Sequence, residues 1–330
     1  MQRSTFLRAT LSCLAGVTAA ALMAQPAVAA YPDKPIRIVV PYAPGGAADI
    51  LARTIAEKLT ARLGQTVIVD NKTSGAGNIG IDAVAKAPAD GYTLSFALSS
   101  NLMINQYLFK KLPYDPQKDL ALVAKVADAP IVLVVNANQP IASIAELKKV
   151  VAANRGKLSY GSWGIGTISH LSASRVNDMI GGDMSHVPYR GEAPMLQDLV
   201  GGTLAMSFAT GAQATQFIAA GRLRALGVTG TARLPNLPNV PTLAEAGLDD
   251  PLLKAVGWIG FAAPAATPRP VVQRLADELQ ATLKLADVQQ RIRDMGWIPA
   301  FQGPDEFSAT YRREAPVWEE VVRKSGATLD

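Results

Sequence analysis

The chain has 330 residues, 49% of them hydrophobic and 18% charged, a balance that supplies a sizeable core and excludes a disordered chain. Lys and Arg number 32 and Asp and Glu 27, a formal charge of +5, too small and too dispersed to argue for nucleic acid. Cys13 is the only cysteine, and His170 and His186 are the only histidines; a disulfide framework and a Cys-based zinc site are excluded, and a multi-histidine metal site nearly so.

Residues 1–29 read as a secretory signal peptide. Arg3 and Arg8 form a basic start, an apolar stretch runs from Ala9 to about Met23, and Ala27-Val28-Ala29 is a small-residue cleavage site after Pro26. The apolar stretch is short for a membrane span of about 20 residues. Cys13 lies inside it, without the leucine spacing of a lipobox, so no lipidation is expected. Cleavage after Ala29 predicts a soluble, exported protein in the periplasm.

Ile36-Arg37-Ile38-Val39-Val40 is β-branched and flanked by prolines, which predicts a buried strand. After the turn Ala43-Pro44-Gly45-Gly46, Leu51, Ile55, Leu59 and Leu63 recur every fourth residue, one face of a helix closed by Gly64. Thr66 to Val69 reads as the next strand, and this β-loop-α-β opening points to a parallel sheet with covering helices. Tyr92 to Phe96 and Ile131 to Val135 are further strands. Ser143-Ile144-Ala145-Glu146 is a capping box for a helix to about Asn154. Leu158 to Gly161 is a strand entering a glycine loop, and Thr167 to Met179 a helix. A second box, Thr242 to Glu245, predicts a short helix. Thr267-Pro268 reads as a cap with proline at the first helical position, opening a helix to about Leu285. The segment 234–241 is a proline-rich surface strap, and 304–324 a last amphipathic helix.

Two strand–glycine-loop–helix units therefore stand about 120 residues apart. The free N–H groups and positive dipole end of each helix suit an anion, and glycine admits close backbone approach. In the first unit, Tyr42, Ala43, Pro44, Gly45, Gly46, Ala47, Ala48 and Asp49 form either such a site or an ordinary turn. Asp49 is read first as a cap or as a partner of Arg53. In the second, Ser162, Trp163, Gly164, Gly166, Thr167 and His170 offer hydroxyls and amides. Trp163 is a pocket wall or a lid packed on the surface, and His170 is first a buried, hydrogen-bonded histidine.

Enzyme readings fare worse. Gly75-Ala76-Gly77-Asn78-Ile79-Gly80 matches a dinucleotide fingerprint, but not directly after the first strand. Ser162 has Tyr160 where a nucleophile elbow needs glycine, and no Walker loop occurs. No carboxylate pair is indicated for acid–base work.

Pro41-Tyr42-Ala43-Pro44-Gly45-Gly46 with Asp49, the Gly75 to Gly80 loop, Ala89-Asp90-Gly91-Tyr92-Thr93-Leu94, Val187-Pro188-Tyr189-Arg190-Gly191, Val240 to Gly247 and Gly257-Trp258-Ile259-Gly260 follow one another in order. Together they resemble the Bug (TctC-like) family, the extracytoplasmic solute-binding proteins of tripartite tricarboxylate transporters, over essentially all of 31–330. The resemblance implies an α/β, type II periplasmic binding fold: two α/β domains joined by two crossing strands, with a ligand cleft between them. Domain 1 maps to 30–128 and 256–330, domain 2 to 129–255.

The resemblance carries the ligand loops onto Tyr42 to Asp49, Ser162 to His170, Tyr189 and Arg190, with Ser99, Ser100 and Asn101 lining the cleft. Arg190 is then a carboxylate partner or a solvated surface charge. Many members place aspartate after the residue corresponding to Phe208. Ala209 stands here, which implies weaker recognition of an amino group. The expected ligand is a small mono- or dicarboxylic organic acid without an α-ammonium, aliphatic or aromatic, delivered to the transporter's membrane subunits by a monomer. No cofactor, metal or catalytic residue is expected. A nucleotide-dependent enzyme and a ligand sensor are the alternatives.

Overall fold

The computed structural model describes residues 31–73 and 75–329; the expected signal peptide and Cys13 lie outside them. In chain order the strands are β1 (Ile36–Val40), β2 (Val67–Asn71), β3 (Thr93–Leu98), β4 (Leu120–Ala129), β5 (Ile131–Asn136), β6 (Ser159–Ser162), β7 (Ser185–Pro188), β8 (Met206–Thr210), β9 (Leu223–Val228), β10 (Gly257–Pro264) and β11 (Ile298–Gln302). The helices are α1 (Ala47–Leu63), α2 (Asn78–Ala85), α3 (Asn105–Leu108), α4 (Ile144–Ala153), α5 (Ile168–Met179), α6 (Glu192–Val200), α7 (Gly211–Ala219), α8 (Pro251–Lys254), α9 (Arg269–Leu283), α10 (Ala286–Asp294) and α11 (Pro304–Ser325).

The strands form two sheets, ordered β11-β4-β10-β3-β1-β2 and β7-β6-β8-β5-β9. The β-branched run of β1 sits between parallel β2 and β3. Ile36, Ile38, Val39 and Val40 are all buried, as expected of a strand covered on both faces. Helix α1 buries Leu51, Ile55 and Leu59 and stops at Gly64, whose φ of 66° is the left-handed cap glycine adopts freely. In the second sheet β6 runs parallel to β7 and β8, whereas β5 is antiparallel to β8 and β9.

The chain passes from the first sheet to the second between β4 and β5, through Pro130 alone. It returns after β9 and enters β10, whose Gly257 pairs with Ala129. Thr229 Oγ1 accepts the Ile131 N–H at 2.9 Å, so both crossings meet at one place. Two α/β units joined by crossing strands are the type II periplasmic binding arrangement expected above. Helix α11 packs on β4 and also on α5. Trp318 and Val322 of α11 share one buried cluster with Leu171 and Val176 of α5.

Two local expectations need correction. The Thr242–Glu245 box forms: Thr242 N–H donates to Glu245 Oε2 at 2.7 Å and Glu245 N–H to Thr242 Oγ1 at 3.1 Å. No helix follows, because Gly247, at φ 95°, turns the chain and lets Leu248 N–H close on Leu243 O at 2.8 Å. Thr267 does not cap α9. Its hydroxyl donates to Pro264 O at 2.7 Å, and Pro268 is the cap residue. By contrast Ser143 Oγ accepts the Glu146 N–H as the first box requires. The 234–241 strap is a series of turns pinned by buried Leu234 and Leu237.

Candidate functional site

Two adjoining cavities lie where β3, the β4–β5 crossing, β8 and the start of α5 converge. One, about 160 Å³, is lined by Ser99, Ser100, Ile104, Ala129, Pro130, Ile131, Trp163, Thr167, Ile168, Thr210, Gly257 and Trp297, with Leu98. The other, about 260 Å³, is lined by Pro41, Tyr42, Ala76, Gly77, Ser100, Asn101, Asn105, Leu108, Ile165, Gly166, Thr167 and Leu329. They share Ser100 and Thr167, one hydroxyl from each sheet's loops. None of these described residues carries Asp, Glu, Lys, Arg or His. No group of three possible metal ligands occurs among the described residues.

The second glycine loop is built around α5. Thr167 caps it, accepting the His170 N–H at 3.4 Å. Its own N–H goes to Gly164 O at 3.3 Å. The N–H groups of Ile168 and Ser169 thus have no acceptor inside the helix. The Ser169 hydroxyl is buried without a partner among the described residues. Gly166 N–H donates to His170 Nδ1 at 3.1 Å, and Ser162 Oγ meets His186 Nε2 at 2.7 Å. Burial, then the neighbouring His186, pushes His170 down to about 4, and burial lowers His186. Both rings are neutral near pH 7 and brace the loop. Gly166 sits at φ 73°, and a Cβ there would lie 2.7 Å from the Leu108 methyls across the cleft.

The first loop is organised differently. Pro41 and Tyr42 reach the cleft, but Ala43, Pro44, Gly45, Gly46 and Ala47 are exposed and line neither cavity. Asp49 is buried and fully engaged: it accepts from Gly45 N–H at 2.8 Å, Arg53 Nε at 3.1 Å and Asn71 Nδ2 at 2.9 Å. Burial alone would raise its pKa, yet these donors outweigh burial and hold it below the usual carboxylate value. Ala48 is also buried. Tyr42 OH accepts from Leu98 N–H at 2.9 Å and pairs with Asn101 Oδ1. Burial raises its pKa.

Ser99, Ser100 and Asn101 stand at the end of β3 against the crossing, with Ser99 Oγ accepting the Trp258 N–H at 3.4 Å. Tyr189 OH instead donates to Asp198 at 2.6 Å, and Arg190 is exposed, with no ion-pair partner among the described residues. Ala209 is fully buried in the apolar cluster of Val132, Met195 and Leu199. Neither Tyr189, Arg190 nor Ala209 lines the two cavities.

Sequence reasoning missed Thr210, Gly257 and Trp297. Thr210 is held by half-buried Glu192, which accepts its N–H at 2.6 Å and its hydroxyl at 3.0 Å. The Gly75–Gly80 loop reaches the cleft through Ala76 and Gly77. Its glycines make room for protein: a Cβ on Gly77 would lie 2.9 Å from Pro41 Cβ, and one on Gly80 3.0 Å from it. A larger cavity, about 370 Å³, lies between α5 and α11. Its Arg175 and Lys324 are already paired with Asp250 and Glu320 at 2.6 and 3.1 Å.

The profile described as "Tripartite tricarboxylate transporter family receptor" (TctC) matches residues 51–325. The chain is 39% identical over 294 residues to a UPF0065 protein in the tcbD-tcbE intergenic region of Pseudomonas sp. (strain P51), covering 89% of this chain and 87% of that protein. A solved "periplasmic transporter" is similar at 37% identity and a TM-score of 0.77, covering 91% of this chain and 100% of that one. A Rhodopseudomonas palustris structure "with adipate" is similar at 33% identity and a TM-score of 0.78, again covering 91% and 100%. The chain belongs to the TctC (Bug) family of tripartite tricarboxylate transporter receptors, non-catalytic periplasmic proteins that bind a carboxylate and deliver it to the transporter's membrane components.

Proposed function

We propose that the carboxylate is held in the cleft between the two sheets, at the start of α5, by neutral donors alone. The observation that carries this reading is the start of α5 at Ile168, whose N–H has no acceptor inside the helix and which lines the same cavity as the Thr167 and Ser100 hydroxyls. Helix N–H groups and the dipole favour a negative charge there. With no acidic residue lining the two cavities, no carboxylate opposes an anion. None is present to hold an ammonium either, so the ligand is an organic acid without an α-amino group.

The units that enclose it are 30–128 with 256–330, and 129–255, and the mature chain begins after Ala29 and acts as a monomer. Gly166 against Leu108 is one close contact across the cleft, and binding stabilises that arrangement by differential affinity. Tyr42, Ser99, Ser100, Asn101 and the Ser162 to His170 loop build the site. The Ala43 to Asp49 turn, Tyr189, Arg190 and Ala209 support it from outside the two cavities.

A thermal-shift panel of mono- and dicarboxylates, with aspartate and glutamate as controls, tests this. A ligand at a hundredfold excess over Kd stabilises by about 2.7 kcal/mol. Tighter binding of the amino acids than of their deaminated analogues overturns it.

A further inference from the structure

The smaller cavity has a character that neutral anion recognition does not require. Apart from hydroxyls at its edge it is apolar: Ile104, Ile131, Ile168, Pro130 and two tryptophans, Trp163 and Trp297, form its walls. Its volume, about 160 Å³, is close to the roughly 150 Å³ that accommodates one benzene ring in an apolar protein cavity. Trp297 is 9% exposed and Trp163 half-buried, so both indoles present ring surface to the cavity more than to solvent.

From these features we infer that the cleft selects a monocarboxylate carrying one apolar six-membered ring. The ring fills the cavity between Trp163 and Trp297, and the carboxylate lies at the Ser100–Thr167 junction with the second cavity. This rests on the carboxylate cleft proposed above. Within the smaller cavity a second carboxylate would be buried among apolar walls without a cation, which is strongly unfavourable. The ring loses only apolar contact with water, which is favourable. Trp163 and Trp297 are thus the specificity-determining residues.

Calorimetric titration of the mature protein with benzoate, cyclohexanecarboxylate, adipate and malate tests the inference. Both ring acids are expected to bind at least tenfold more tightly than either dicarboxylate. A smaller advantage, or malate or adipate binding more tightly, overturns the inference and leaves the carboxylate cleft standing. If none of the four binds, the cleft reading falls and this inference with it. Trp297→Ala is expected to weaken benzoate at least tenfold, while Trp297→Phe, which keeps an aromatic wall, stays within threefold of wild type. Unchanged affinity in a folded Trp297→Ala protein also overturns the inference. The wild-type selectivity decides the matter even if that variant does not fold.

Discussion

His170 and His186 stack face to face, with ring centroids 3.8 Å apart and planes 13° from parallel. Each ring also holds one end of the glycine loop, through Gly166 N–H and Ser162 Oγ. Two imidazolium ions cannot share that spacing cheaply, because both are partly desolvated and repel. His170 is only 6% exposed, and burial with the neighbouring His186 pushes its pKa down from 6.5 to about 4. In the unfolded chain it takes up its proton first, so the folded state gains nothing from protonation between those values. Its contribution is fully present above pH 6.5 and is lost as pH falls towards 4, up to about 3 kcal/mol for the shift. The melting temperature should therefore drop across pH 6.5 to 4. A His170→Gln, His186→Gln protein should show a flatter profile; an equally steep one would locate the acid sensitivity elsewhere.

Gly166→Ala should impair binding more than folding. The added methyl strains a residue at φ 73° by about 1–2 kcal/mol and overlaps the Leu108 methyls. Affinity for the tightest acid of the panel should fall at least tenfold, and a second change, Leu108→Ala, should restore part of it. Calorimetry on the single and double variants reads this directly.

Gly296 lies at φ 72°, backbone to backbone against Gly211; a Cβ would sit 2.6 Å from Gly211 C and would overlap Ala212 N. Because the obstacle is main chain, no rotamer change relieves it. Gly296→Ala should cost about 2 kcal/mol or more in denaturant unfolding. The same variant should enlarge the radius of gyration in X-ray scattering, since Gly296 stands beside β11 and Gly211 begins α7 in the other sheet's unit. An unchanged radius with lowered stability would confine the effect to the turn.

Asp49→Ala removes the acceptor shared by Gly45, Arg53 and Asn71. Asn71 keeps Tyr42 O as an acceptor and Arg53 and Gly45 are open to water, so the expected loss is about 1–2 kcal/mol in urea unfolding. Ligand affinity should change less than threefold, because Asp49 lines neither cavity.

Local pattern carried much of the fold. The β-branched β1, the four-residue spacing of α1 and the Thr167 cap each announce themselves within a few residues. Strand β4 does not. Its sequence Leu120-Ala121-Leu122-Val123-Ala124-Lys125-Val126-Ala127-Asp128-Ala129 is rich in alanine and interrupted by charge. The fold tolerates this because buried Lys125 pairs with Asp128 at 2.8 Å. Strand β11 carries Pro299, which an edge position accepts and a pattern search rejects. Trp297 reaches the cleft only because β11 docks beside β4, a long-range pairing with no local signature. The Thr242 box shows the converse. A correct capping motif says where a turn begins, but the glycine five residues on decides whether a helix continues.

Pro130 alone separates β4 from β5, and both of its neighbours are anchored, Ala129 to Gly257 and Ile131 to Thr229. Proline's φ is fixed, so any swing between the halves is concentrated in very few torsions. Such a joint behaves as a stiff flexure and not as a tether: it permits one arc and resists twist. Lengthening it by two glycines would leave each half folded yet erase their common axis, and with it the tight coupling between what is held inside and the shape shown outside.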